Sequence, residues 1–159
     1  MAKVSAFTFT NKTASANTIT PLALGLTSNY AVSTEVANQA VLNNKTADID
    51  AMELISYRTQ SVKSVANNLD IRNPAKVTSG IQYGVQVEET LVTTDSDDAT
   101  FRVDEPIVAS INIRHPKSGN IDNSVVAEVV LRLISSLMRA DGSWRFDDLM
   151  RSAERPIAD

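Results

Sequence analysis

The sequence predicts an α+β domain, an antiparallel sheet of short strands followed by C-terminal helices. Three observations carry the prediction. From Lys3 to Arg114 the chain is rich in Thr, Val, Ser and Asn in short alternating runs, whereas from Asn120 the apolar period lengthens from two to about 3.6. Strands and helices are segregated rather than interleaved, which argues against a parallel sheet of βαβ units. The clearest strands are apolar on one side only, as in an antiparallel sheet covered on one face.

Lys3 to Thr10 and Thr18 to Leu26 are expected to form an N-terminal β-hairpin around Asn11–Asn17. Tyr30 to Val41 holds a further short strand, and Met52 to about Val62 another whose facing the pattern leaves open. Asn67 to Pro74 is turn chemistry throughout. Ile81, Tyr83, Val85 and Val87 then alternate with Gln82, Gly84, Gln86 and Glu88. Ile107, Ala109, Ile111 and Ile113 alternate in the same way with Val108, Ser110, Asn112 and Arg114. Thr93 to Glu105, with Asp95-Ser96-Asp97-Asp98 inside it, is expected as the loop between these two strands.

The long helix is marked by two adjacent apolar rows. One is Val125, Val129, Leu133 and Leu137, the other Val126, Val130, Ile134 and Met138. Asp122 or Asn123 can cap its start, and Gly142 lies past its end. A shorter helix is expected near Phe146 to Glu154. There Asp147 and Asp148 fall in the first turn and Arg151 and Arg155 near the end, as the helix dipole favours. At 159 residues the chain is read as a single domain, 1–159.

Composition narrows the function by exclusion. The chain is 43% hydrophobic and 21% charged, with no cysteine, so disulfides and thiolate metal sites are ruled out. Neither a secretory leader nor a segment of membrane-spanning length is legible, and a soluble intracellular product without membrane partners is expected. The net charge of −4 weighs against a general nucleic-acid binder, unless the cations gather on one face. His115 is the only histidine, expected in the turn between strand and helix, and no phosphate-binding or nucleophile-elbow motif occurs among five glycines. Asp50 with Glu53 is the nearest pair of carboxylates, and nothing in the sequence positions it for acid–base work. No enzyme, cofactor or metal site is expected. Asp95–Asp98 reads as a solvated loop, since its spacing and lack of glycine do not suit an EF-hand. Trp144 either packs the second helix onto the core or anchors a partner.

Gln82, Gln86, Ser110 and Asn112 form the polar side of the two clear strands. Such a face can simply meet water. Its amides and hydroxyls can equally read base edges or ribose hydroxyls, with Arg58, Lys63 and Arg114 available for phosphates and Tyr57 for stacking.

The order of elements, and the run Ile107-Val108-Ala109-Ser110-Ile111-Asn112-Ile113-Arg114-His115-Pro116 followed by Lys117-Ser118-Gly119 and a long helix, resemble the coat proteins of single-stranded RNA bacteriophages (leviviruses). Gly142 and Phe146-Asp147-Asp148-Leu149 resemble the family's entry into its second helix. The resemblance implies an N-terminal β-hairpin, a five-stranded antiparallel sheet and two C-terminal helices that pack across a dimer partner's sheet. It implies a non-enzymatic capsid subunit that forms a homodimer and then an icosahedral shell, found in the virion and assembled in the bacterial host cytoplasm. Single-stranded RNA, including an RNA hairpin, would lie on the inner sheet face at Gln82, Gln86, Ser110 and Asn112, with Arg58 and Lys63 beside them as the phosphate-binding candidates. Ile107, Ile111, Ile113, Val126, Val130, Leu133 and Leu137 would line the dimer interface. The alternative is a dimeric RNA-binding regulator that never forms a shell.

Overall fold

The computed structural model describes residues 22–63, 65, 79–139 and 141–150. They belong to two compact units, the sheet within Ala23–Lys117 and a second unit that holds Leu22 and the helices from Ser118 onward.

The sheet unit opens on a turn. Gly25 adopts φ 60°, a left-handed conformation that glycine enters without steric cost. It leads into the four-residue helix α1 (Leu26–Asn29), whose last two N–H groups both donate to the Gly25 carbonyl. Five strands come next: β1 (Tyr30–Val36), β2 (Gln39–Asn44), β3 (Leu54–Val62), β4 (Gly80–Thr94) and β5 (Arg102–Pro116). They form one antiparallel meander in sequence order, with β1 and β5 at the edges. Residues directly opposite one another in such a ladder point to the same side, so the register assigns the faces. Ile55 sits between Leu42 and Val87, Tyr57 between Ala40 and Val85, and Tyr83 and Val85 oppose Ile113 and Ile111. This is the apolar face. It holds Ile55 and Tyr30, the two buried hydrophobic residues among those described, at 1% and 7% exposure.

Several elements differ from expectation. The one strand expected over Tyr30–Val41 is a hairpin of two, turning through Ala37-Asn38 between the paired Val36 and Gln39. A bulge near Ser33 shifts its register, so Tyr30 and Val32 face the apolar side while Thr34 and Val36 face the other. The expected loop Thr93–Glu105 shrinks to 95–101, because the β-branched run around Thr90–Thr94 keeps pairing out to Thr94↔Arg102. His115 belongs to β5, opposite Ile81, rather than to a turn. Of the expected N-terminal hairpin, residues 3–10 and 18–21 lie outside the described residues, and Leu22–Gly25 is irregular. The Asn67–Pro74 turn also lies outside them.

In the helical unit α2 runs from Asn123 to Ser136. Asp122 caps it, its carboxylate accepting from the N–H groups of Ser124 and Val125, both at 3.0 Å. The helix stops short of Leu137, the C-cap, because the hydroxyls of Ser135 and Ser136 bond back to Leu131 and Leu133 carbonyls at 2.7 Å and the last turn tightens to Leu137 N–H on Ile134. Gly142, φ 87°, instead serves the next turn of the chain. Helix α3 (Phe146–Met150) starts where the aspartates predicted; the residues beyond Met150 lie outside the described ones. Among the described residues no helix is long and apolar enough to cross a membrane.

The cap yields a pH prediction. The Ser124 hydroxyl, then the Val125 and Ser124 N–H groups, hold the Asp122 carboxyl below the usual carboxylate range. A depressed folded value means the cap stabilises α2 above the unfolded pKa and is lost as pH falls through the folded one. Asp122→Asn, which still caps, should remove this part of the acid loss of helical circular dichroism; an identical acid profile in both proteins would contradict it.

Candidate nucleic-acid interface

The second sheet face is polar and is assembled from four strands. Gln86 opposes Ser110, Gly84 opposes Asn112, and Gln82 opposes Arg114. On the other side of β4, Arg58 opposes Gly84, Gln60 opposes Gln82, and Ser56 opposes Gln86. Gln39 of β2 lies opposite Arg58 and so extends the face. Five of the six positions expected to contact RNA, Arg58, Gln82, Gln86, Ser110 and Asn112, are therefore neighbours on one surface. Lys63 is not: it lies past the last β3 pair, Val62↔Gly80, exposed at a bend. The facing of β3 is settled, with Arg58 on the polar face and Tyr57 on the apolar one.

Gly84 shapes the centre of this face. A Cβ there would stand 2.6 Å from Asn112 Oδ1 and 3.2 Å from the Ile111 carbonyl, so bare backbone forms the floor of a depression. The depression has a volume of about 420 Å³ and is bounded by Val36, Asn38, Gln39, Arg58, Gln82 and Asn112, among others. A smaller one of about 150 Å³ adjoins it, reaching Ser56, Gln86 and Ser110. Arg114 Nε donates to Gln82 Oε1 at 2.7 Å, which orients both side chains. Arg58 makes no ion pair among the described residues, so its guanidinium is available to an anion. Chemically the surface offers amide donors and acceptors, hydroxyls and two guanidinium groups around a shallow floor.

The sequence missed Gln39, Asn38, Gln60 and Ser56 as members of this face. Two signals pointed to them: the Ala37-Asn38 pair as a two-residue turn, and the alternation of Ser56, Arg58 and Gln60 with Ile55, Tyr57 and Thr59.

The remaining candidates have structural partners. Both oxygens of Glu53 accept hydrogen bonds, one from the Tyr30 hydroxyl and one from Asn44 Nδ2 at 2.6 Å, so this carboxylate pins the β2–β3 connection to β1. The Tyr30–Glu53 bond, with burial and the Glu53 and Glu89 charges, pushes the Tyr30 phenol up to about 12. His115 Nδ1 lies 2.9 Å from the Pro116 carbonyl, and its ring meets Tyr83 edge-on at 5.6 Å. In the loop, the Asp98 carboxylate accepts from the Thr100 hydroxyl at 2.6 Å and the Thr100 N–H at 2.9 Å, which lowers its pKa. Among the described residues no three carboxylate or imidazole groups converge as a metal site would need.

The positions expected at a dimer interface divide between the units. Ile107, Ile111 and Ile113 lie on the apolar sheet face, Ile107 being 57% exposed. Val126 and Val130 are half-buried on α2, Leu137 is half-buried at its C-cap, and Leu133 is exposed.

A five-stranded antiparallel meander, polar on one face and apolar on the other and followed by an amphipathic helix, defines the structural class. The same fold occurs in solved structures of bacteriophage particles. A chain of a virus-like particle of bacteriophage AVE015 matches with a TM-score of 0.85, covering 99% of this chain and 98% of that one at 17% identity. A chain of a virus-like particle of bacteriophage GQ-112 matches with a TM-score of 0.77, covering 99% and 100% at 12% identity. No family profile and no curated protein matches the chain by sequence. The resemblance to levivirus coat proteins is thus borne out at the level of the fold, a five-stranded antiparallel sheet with a C-terminal helix.

Proposed function

We propose that this chain is the coat protein of a single-stranded RNA bacteriophage, one domain over residues 1–159 that dimerises and builds the icosahedral shell. The observation that carries the reading is the end-to-end likeness to a virus-like-particle chain, 99% against 98% coverage. Dimerisation is supported by the apolar surface a single chain leaves open: Val85, Ile107, Val129 and Leu133 are 38–57% exposed. It is supported too by β5, a 15-residue strand at the sheet edge. Such an edge recruits another strand unless covered. Two-fold pairing of β5 edges, with each helical unit over the partner's sheet, satisfies both demands at once.

On this reading the polar face lines the interior and holds genomic RNA. Gln82, Gln86, Ser110 and Asn112 meet bases and ribose hydroxyls, and Arg58 and Arg114 meet phosphates. Two cations per subunit bind weakly, but a closed shell repeats them many times along one RNA, and avidity supplies the rest. The subunit does no chemistry. It acts in the virion and assembles in the bacterial cytoplasm. The test is expression of the protein alone, followed by microscopy and nuclease treatment of the purified product.

A further inference from the structure

Between about pH 5.5 and 7.5 the side chain that ordinarily changes charge is histidine, and this chain has one, with no cysteine. His115 ends the apolar row of β5, after Ile107, Ala109, Ile111 and Ile113, and lies opposite Ile81. Its ring is half-buried and meets Tyr83 edge-on, with centroids 5.6 Å apart. The backbone beneath is tightly placed: a Cβ on Gly80 would stand 2.2 Å from the His115 carbonyl oxygen and 2.5 Å from a Val65 methyl. A carbonyl can only accept, so Nδ1, 2.9 Å from the Pro116 carbonyl oxygen, carries the hydrogen of the neutral ring. A second proton therefore goes to Nε2. Among the described residues of the sheet unit, no carboxylate stands near enough to hold that charge. Beside the ring are Ile81, Tyr83 and Ile113, and across β4 from it Ser61 and Thr59 of β3. Glu89 is eight positions along β4 from Ile81, about 26 Å at the rise of a strand, and Glu105, opposite Leu91, and Glu53, just before β3, are at that same far end. Glu35 is on β1, four strands across, about 19 Å away at the spacing of strands. The nearer charges are cations: Arg114 and Lys117 flank His115 in sequence, and Lys63 follows the last β3 pair.

We propose that His115 makes subunit association acid-sensitive, the apolar face being covered by a second copy only while this imidazole is neutral. This rests on the coat-protein reading and adds a control on its assembly. In a lone subunit the half-buried ring still meets water, which solvates an imidazolium. Under a second copy, the same charge loses that water and the Nε2 hydrogen loses its acceptor. The neutral form is thus favoured in the dimer, so association is intact above the histidine range and is lost as pH falls through it. By linkage the logarithm of the dimer association constant falls by up to about two per pH unit, one proton for each subunit's imidazole.

Sedimentation of the full-length protein from about pH 7.5 to 5.5, where ordinary carboxylates stay charged, tests this. The unaltered protein's dimer should weaken at least about tenfold on acidification, and its shells should loosen with it. His115→Gln, which is neutral throughout, should associate equally at both ends of the range. Isotope-labelled histidine gives a single imidazole signal, so nuclear magnetic resonance of intact particles reads the same switch without a substitution. The ring should remain neutral in particles at a pH where dissociated subunits carry the imidazolium. An equal response in both proteins, no response, association strengthened by acid, or an imidazolium inside intact particles would each overturn the switch and leave the coat reading standing. Absence of both dimers and shells from the unaltered protein at every pH would overturn the coat reading itself.

Discussion

Ile55→Ala should lower the stability of the folded subunit by about 2–5 kcal/mol, the usual cost of removing a buried aliphatic side chain and leaving a cavity. Ile55 is the fully buried large side chain among the described residues, at 1% exposure, held between Leu42 of β2 and Val87 of β4. Domain stabilities of about 5–15 kcal/mol leave little margin for such a loss. Ile55→Val keeps most of the volume and should cost only about 0.5–1.5 kcal/mol. Because folding and association are linked, the alanine variant should also assemble only at higher protein concentration. Urea unfolding of the two variants side by side measures the difference. Equal midpoints would mean that this face has no packed centre at Ile55.

Arg58→Glu combined with Arg114→Glu should empty the particles of RNA without preventing their assembly. Both side chains belong to the polar face, Arg58 opposite Gly84 and Arg114 opposite Gln82, away from the apolar side; Arg114 lies on β5, but the proposed pairing of β5 edges uses backbone groups rather than this side chain. Removing one cation from a phosphate should flatten the dependence of log K on log salt by about 0.7 for single-stranded RNA, so about 1.4 for the pair, and the new carboxylates add repulsion. Shells of unchanged diameter with a much reduced 260 nm to 280 nm absorbance ratio are the expected product. Full RNA content with an unchanged salt response would remove the polar face from the RNA-binding account.

Legibility in the sequence tracked the strength of local patterning. Ile81–Val87 and Ile107–Ile113 announce their strands because the alternation is clean, and it also separates Gln82, Gln86, Ser110 and Asn112 onto one face. Asp122 and Asn123 mark the start of the long helix because both are capping residues just before its apolar rows, and the structure gives the cap to Asp122. Other features depend on pairing that a local pattern does not encode. Residues 93–94 and 102–105 look like the flanks of a polar loop, yet they pair because the hairpin ladder is already in register below them. The bulge near Ser33 is a matter of register alone, and it moves Val36 to the rim of the depression. Lys63 seemed to belong with Arg58 by charge and proximity in sequence, but β3 ends one residue before it. Leu137 continued an apolar row, but two consecutive serines with hydroxyls turned back to the backbone end the helix first. Glu53 was legible only as the nearest carboxylate to Asp50, with nothing to position the pair; its partners, Tyr30 of β1 and Asn44 at the end of β2, meet it only once the strands are paired.

The central claim, that this chain is a shell-forming coat subunit, is tested most directly by negative-stain electron microscopy of the full-length protein expressed alone and treated with nuclease. Uniform round particles that retain protected RNA, with a 260 nm to 280 nm ratio well above that of free protein, are the expected result. An RNA-free or nuclease-sensitive dimer at every concentration would contradict it and leave a dimeric RNA-binding regulator as the better reading.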